Sequence, residues 1–242
     1  MIIINADDWG RSEAETDIAL RCFKAGRITS VTAMVFMSDS QRAAQLANAS
    51  GLDVGLHLNL SQPFTGPVND RLNQQHRAVT RFMRLSKYSQ LLYNPFIRGA
   101  LSQVFQAQYD EFVRLYGKAP SHVDGHQHRH LCSNMLIDPV IPSGTKVRRT
   151  FSFFPGEKSS LNRLYRRWVD GRLSRRYRLT EFFFSLSTCL RNQTLDRVWT
   201  LAREAAVELM THPIVADESS YLLSDEHAAR LAACTSGSFA RL

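Results

Sequence analysis

Four of the eight histidines in this 242-residue chain fall within nine positions, His122-Val123-Asp124-Gly125-His126-Gln127-His128-Arg129-His130. In an extended chain alternate side chains share a face. His122, Asp124 and His126 therefore project together, until Gly125 and the turn after it redirect the path. Burying imidazoles beside a carboxylate without a partner is costly, and a divalent cation is a natural partner. Mixed nitrogen and oxygen donors suit zinc, iron, cobalt or manganese, and a catalytic site keeps a position open for water. A hydrogen-bonded structural network, or a histidine-rich surface loop, would use the same residues without any chemistry.

Three other segments carry residues of the right kind. Asp7 and Asp8 follow an apolar run at once, and adjacent carboxylates repel at neutral pH unless a cation or proton intervenes. A turn or helix cap is the competing use of such a pair. His57 stands in Gly55-Leu56-His57-Leu58-Asn59-Leu60, where a lone histidine is more often a satisfied core residue than a ligand. His212, in Thr211-His212-Pro213, carries little by itself. At the same end of a sheet as a metal it becomes a proton donor.

The elements that must position these groups alternate. Met1–Asn5 reads as a buried strand, and a helix follows with Ser12 as its cap, Glu15 completing the capping box and Gly26 ending it. Ile28–Phe36 is a second strand, Asp39–Asn48 a helix and Leu52–Leu60 a third strand. Strand, helix, strand, helix, strand implies a parallel sheet with helices outside, as a barrel or as an open doubly wound sheet. In either form the carboxyl ends of the strands converge on one side, where ligand sites form. The rhythm breaks over 61–98, read as a long loop carrying one helix, Gln75–Leu92, over the site. Ala100–Leu115 is then a helix, Ser121–His130 a strand with its exit loop, Lys146–Phe154 and Val207–Thr211 later strands, and Ser224 opens a terminal helix. With no repeat, low-complexity tract or linker, one domain over 1–242 is the simplest account.

Composition limits the classes. Hydrophobic residues at 44% and charged residues at 21% suit an ordinary globular enzyme. No run approaches the roughly 20 apolar residues that span a bilayer, and the short apolar start lacks the basic flank of a signal peptide. The expected location is cytoplasmic. Cys22, Cys132, Cys189 and Cys234 are scattered and read as reduced; Cys132 reads as a small buried thiol, with a ligand role as the alternative. Seven arginines between Arg163 and Arg178, against Asp170 alone, carry +6 of the net +8. Such an arm could meet RNA, phospholipid or an anionic substrate. A solvated amphipathic helix is the plainer reading, and no nucleic-acid motif accompanies the charge.

Asn5-Ala6-Asp7-Asp8-Trp9-Gly10, Gly55-Leu56-His57-Leu58-Asn59 and the His122–His130 segment resemble the YdjC-like carbohydrate deacetylases, the group containing chitooligosaccharide deacetylases. Thr211-His212-Pro213 is similar to that family's carboxy-terminal His-Pro motif. The resemblance implies an α/β fold, a distorted TIM-type, (β/α) barrel-like structure related to polysaccharide deacetylases. It also implies one divalent metal ion, magnesium or zinc first and manganese or cobalt next, held by Asp8, His57 and His126. Asp7 is then the general base and His212 the acid, while Asp124 and His128 match positions that line or orient the site. The implied reaction is metal-dependent removal of acetyl groups from N-acetylated sugars or oligosaccharides. The alternatives are another N-acyl substrate, such as a lipid-linked amino sugar, or a sugar-binding protein without catalysis. The expected partner is the sugar itself, with no nucleic acid and no transmembrane segment; a homodimer is compatible. The insert over 61–98 and the Arg-rich segment over 163–178 depart from the family pattern, and both bear on the substrate.

Overall fold

The computed structural model describes residues 1–86 and 88–242. In chain order the elements are β1 (Ile2–Trp9), α1 (Glu13–Lys24), β2 (Ser30–Ala33), α2 (Ser40–Ser50), β3 (Val54–Leu58), α3 (Asp70–Arg84), α4 (Arg98–Tyr116) and β4 (Val123–Gly125). Then come α5 (Ser133–Ile137), α6 (Ser160–Leu173), β5 (Phe182–Ser185), α7 (Leu186–Arg191), α8 (Leu195–Ala202), β6 (Val207–Thr211), α9 (Ala216–Leu222) and α10 (Asp225–Ala232). Among the described residues, six strands form one sheet in the order β4-β3-β2-β1-β6-β5, and every neighbouring pair is parallel. The sheet curls into a partial barrel, a distorted TIM-type arrangement.

A parallel strand covered on both faces must be apolar nearly throughout. Ile2, Ile3 and Ile4 of β1 meet that requirement with no exposed surface, and Val207 and Leu209 of β6 and Leu56 and Leu58 of β3 continue the core on either side. Local signals set the outer layer. Ser12 caps α1 by accepting from the Glu15 amide, and its hydroxyl donates to the Glu15 carboxylate at 2.5 Å. Ser224 caps α10 in the same way, through the His227 amide.

β1 runs on to Trp9, past the expected end at Asn5, and two other elements differ further from what the sequence suggests. The helix expected over Gln75–Leu92 instead begins at Asp70, because the Asn69 side chain accepts from the Leu72 amide, and it ends at Arg84. Lys87, within the expected span, lies outside the described residues. This helix packs along α4, so of its residues only Arg84 lines the cavity that also holds Gln127. The expected strand Lys146–Phe154 makes no regular ladder, since its bonds are divided between two edges. The Val123 amide donates to the Lys146 carbonyl at 2.9 Å and the Arg148 amide to the Val123 carbonyl at 3.1 Å, on the β4 side. On the β5 side the Ser152 amide donates to the Phe183 carbonyl at 2.8 Å. Between them the Thr150 amide turns to the Asp170 carboxylate. An irregular segment thus spans the gap between the edge strands.

Candidate metal centre

Adjacent residues of a strand point to opposite faces, so Asp7 and Asp8 could not serve one site if β1 stayed regular. The register against β2 shifts between Ala6 and Trp9, and Asp8 has φ +65°. That left-handed conformation is uncommon outside glycine, though aspartate tolerates it better than most. A bulge of this kind re-aims a side chain, and here it brings both carboxylates into one buried cluster.

One oxygen of Asp8 is the focus. Its Oδ1 lies 2.9 Å from Nδ1 of His126 and 3.3 Å from Nε2 of His57, and the three donor atoms all sit within 4.8 Å of one another. His57 is the last residue but one of β3 and His126 the first residue after β4. His57 Nε2 is buried and has no partner with hydrogen-bond geometry. Its other nitrogen, Nδ1, is 2.7 Å from Asp124 Oδ1. This is the arrangement by which a carboxylate fixes the tautomer of a metal-binding histidine. Arg11 reaches the second oxygen of Asp8 at 3.1 Å. The donor set, one carboxylate and two imidazoles, suits a divalent ion. Asp7, His57 and Asp124 form a second group of compatible donors, but there a guanidinium already occupies both carboxylates. The Asp8 group is the better fit.

That guanidinium belongs to Arg148. Fully buried, it donates to both oxygens of Asp7 at 2.7 Å, pairs with Asp124 Oδ2 at 2.6 Å and donates through Nε to Glu208 Oε1 at 2.6 Å. Burial, the largest influence, raises the pKa of Asp7, but the charge and hydrogen bonds of Arg148 together with the charge of His57 hold the carboxyl below its ordinary range. Burial likewise works against ionised Asp8, and its contacts with His126 and His57 outweigh that. For His57, burial favours the neutral ring, yet Asp124 and Asp7 push it up to about 10. Glu208 goes the other way: burial is the largest influence and Arg148 offsets only part of it, so the group is pushed up to about 8.

His212 follows β6 and places Nε2 4.0 Å from Asp7 Oδ2. Its side chain is 31% exposed against 3% for Asp7, so among these groups it is the one open to a ligand. Glu218 of α9 accepts from the His212 amide at 2.6 Å. The other histidines of the 122–130 segment stand apart. His122 stacks on Phe239, with its ring so close to Gly55 that a Cβ there would come within 2.4 Å. His128 lies edge-on to Phe151 and burial pushes it down to about 3. His130 Nε2 is 3.0 Å from the Arg148 carbonyl, a prop for the backbone that carries the guanidinium. Cys132 is buried, with its thiol pushed up to about 11 by that burial, and lies outside both donor groups.

The structure thus brings together Asp7, Asp8, His57, His126 and His212, with Asp124 beside His57, and adds Arg148, Glu208 and Thr32, whose hydroxyl is 3.1 Å from Asp124 Oδ2. Arg148 and Glu208 did not stand out in the sequence. The available signal was Glu208 itself, a carboxyl inside the mostly apolar strand Val207–Thr211, which can be buried only with a cation beside it or with a proton on it.

A parallel, barrel-like α/β fold with a polar donor cluster at the carboxyl ends of its strands defines the structural class. The YdjC-like protein family model matches residues 1–242, and the chain belongs to that family. A carbohydrate deacetylase from Mus musculus is 29% identical over 88% of this chain and 77% of its own length. A chitooligosaccharide deacetylase from Escherichia fergusonii is 28% identical over 90% and 83%. Among solved structures, an Enterococcus faecalis protein described as a cellobiose-phosphate cleavage candidate matches with a TM-score of 0.65 at 19% identity, covering 98% of this chain and 97% of that one. That likeness concerns the fold alone. Among the described residues no helix is long and apolar enough to cross a membrane.

Proposed function

We propose that this protein is a metal-dependent hydrolase that removes acetyl groups from N-acetylated sugars of the chitooligosaccharide kind. The observation carrying the proposal is the single Asp8 oxygen faced by donor nitrogens of both His57 and His126. The names of the relatives, carbohydrate and chitooligosaccharide deacetylases, support the sugar amide as substrate. Asp8, His57 and His126 would hold the ion, magnesium or zinc before manganese or cobalt. A bound divalent ion supplies Lewis acidity toward the amide carbonyl and lowers the pKa of an attacking water from about 16 toward about 7.

This chain's own groups do the rest. Asp124 accepts from His57 Nδ1, which leaves Nε2 as the nitrogen facing Asp8; it would give up its proton to hold an ion. Arg148 keeps Asp7 ionised and fixed by two hydrogen bonds, so Asp7 is ready to accept a proton from water as it adds to the carbonyl carbon. An amine cannot leave as an anion, and a positioned acid must protonate it. His212, beside Asp7 and open to solvent, is placed to give that proton. The C–N bond then breaks, and acetate and a free amino sugar are released.

Acetate release from N-acetylated chitooligosaccharides by protein loaded with each metal in turn tests this reading. His126→Ala should lose bound metal and turnover together. His212→Ala should retain the metal and slow turnover by roughly 10²–10⁴-fold. Acetate release that survives complete metal removal would refute the proposal.

A further inference from the structure

The helix α6 carries two apolar stripes where one suffices to seat it. Val169 and Leu173 turn inward and are buried. Leu161, Leu164, Tyr165 and Trp168 recur at i, i+3, i+4 and i+7, which is one helix face. All four are exposed, Leu161 at 78% and Trp168 at 57%. The apolar surface continues beyond the helix. α5 packs against both α6 and the 3-10 turn Ser89–Leu91, and Ile137, Leu91, Leu92 and Phe96 on and beside these elements are exposed as well. Single exposed apolar side chains need no explanation, but a contiguous set marks an interaction surface. Leu91 and Tyr165 also line, with Gln127 and His128, a cavity of about 720 Å³. The stripe therefore borders the opening that Gln127 and His128 line.

Charge selects the occupant. Arg163, Arg167, Arg172, Arg175 and Arg176 are exposed along the same segment, and its only acid, Asp170, is taken by Arg149 at 2.7 Å. A second copy docked about a two-fold axis would bring this arginine cluster onto itself. A nucleic acid would meet the arginines and stack on aromatic rings, leaving Leu161 and Leu164 without a partner. Anionic lipid satisfies both features, because apolar side chains enter the boundary between headgroups and acyl chains while arginines meet phosphates. We propose that the outer face of α6, with the neighbouring apolar rim over 91–96, is a docking surface for an anionic phospholipid bilayer. The surface holds the cavity beside His128 against the membrane, and it stands independently of the catalytic reading.

Trp168 is a built-in reporter, because the other two tryptophans, Trp9 and Trp199, are buried. The full chain titrated with vesicles of mixed phosphatidylglycerol and phosphatidylcholine should co-sediment and show a blue-shifted tryptophan emission. Pure phosphatidylcholine vesicles should bind about tenfold more weakly or worse, and added salt should weaken the anionic case. Trp168→Phe should remove the emission change while leaving most of the sedimentation. The pair Leu161→Ser and Leu164→Ser, both exposed and so harmless to folding, should lower vesicle affinity by about tenfold. Equal binding to neutral vesicles, or binding untouched by the serine pair, overturns the proposal. So does a dimer in solution that the serine pair dissociates, or retention of the chain by RNA in preference to vesicles.

Discussion

One arginine and a group of seven divide this molecule into two electrostatic regimes. Arg148 has no exposed surface and touches three carboxylates at 2.6–2.7 Å. The arginines from Arg163 to Arg178 lie on or just after α6, and most are exposed. A buried charge persists only when it is paired, and removal of one partner strands the others; an exposed charge is screened and changes little. Density of charge along the sequence thus says nothing of its structural weight. The solitary arginine organises the polar cluster, while the dense run coats a surface.

The same substitution in the two regions tests this contrast most severely. Arg148→Met should cost about 3–5 kcal/mol, because Asp7, Asp124 and Glu208 are left buried around an apolar side chain. Arg167→Met, on the exposed side of α6, should stay within about 0.5 kcal/mol of the parent. Urea unfolding of both variants measures the difference. Similar losses in the two would show that the buried pairings are not what stabilises the strand ends.

Within the buried regime, Asp124 links the two halves of the cluster, accepting from His57 on one oxygen and pairing with Arg148 on the other. Asp124→Asn keeps the size of the side chain but weakens its hold on the His57 proton. Loss of such an outer partner typically lowers metal affinity by 10–100-fold. Calorimetric titration with zinc should show a drop of about that size with the fold intact. An unchanged affinity would show that Asp124 does not act through His57 and leave it a purely structural partner of Arg148.

The sequence revealed the ligand-type residues because each sits in a short segment whose local pattern is abnormal: paired carboxylates after an isoleucine run, a histidine in an apolar strand, four histidines in nine positions. Their convergence follows from the parallel sheet, which collects strand ends on one side. What stayed hidden depends on distant or irregular geometry. Arg148 is 141 residues from Asp7 in the chain and lies in Lys146-Val147-Arg148-Arg149, which reads as exposed and basic. The left-handed turn at Asp8, which lets two neighbouring carboxylates share a site, has no glycine to announce it. Lys146–Phe154 has the β-branched and aromatic content of a strand, yet its hydrogen bonds are split between two diverging edges. The strand that does form beside it, β5, spans only Phe182–Ser185, too short to show a period. The arginines interleaved along α6 mask its second apolar stripe in the sequence.

Within the buried cluster the smallest expected effect lies on Glu208, and its pH dependence makes it the sharpest measurement. Three carboxylates surround one guanidinium, so full ionisation would leave the pocket with excess negative charge. Asp7 and Asp124 are held below the ordinary range, whereas Glu208 is pushed up to about 8 by burial. Its second oxygen, Oε2, has no hydrogen-bond partner, so no donor on that side offsets the burial of the charged form. Glutamine reproduces that neutral form and still accepts from Arg148 Nε, so Glu208→Gln should cost less than about 1 kcal/mol at pH 7. The sign of the pH effect follows from linkage. An acid whose folded pKa is raised binds more protons folded than unfolded between the two values, so its stabilising contribution falls as pH rises through that window. Relative to the glutamine variant, the parent should therefore lose stability between about pH 4.5 and 8 and level off above it. Urea unfolding of the pair across this range reads the difference directly. A difference that grows with pH would mean that Glu208 is ionised beside Arg148, and that the buried cluster tolerates three negative charges around a single positive one.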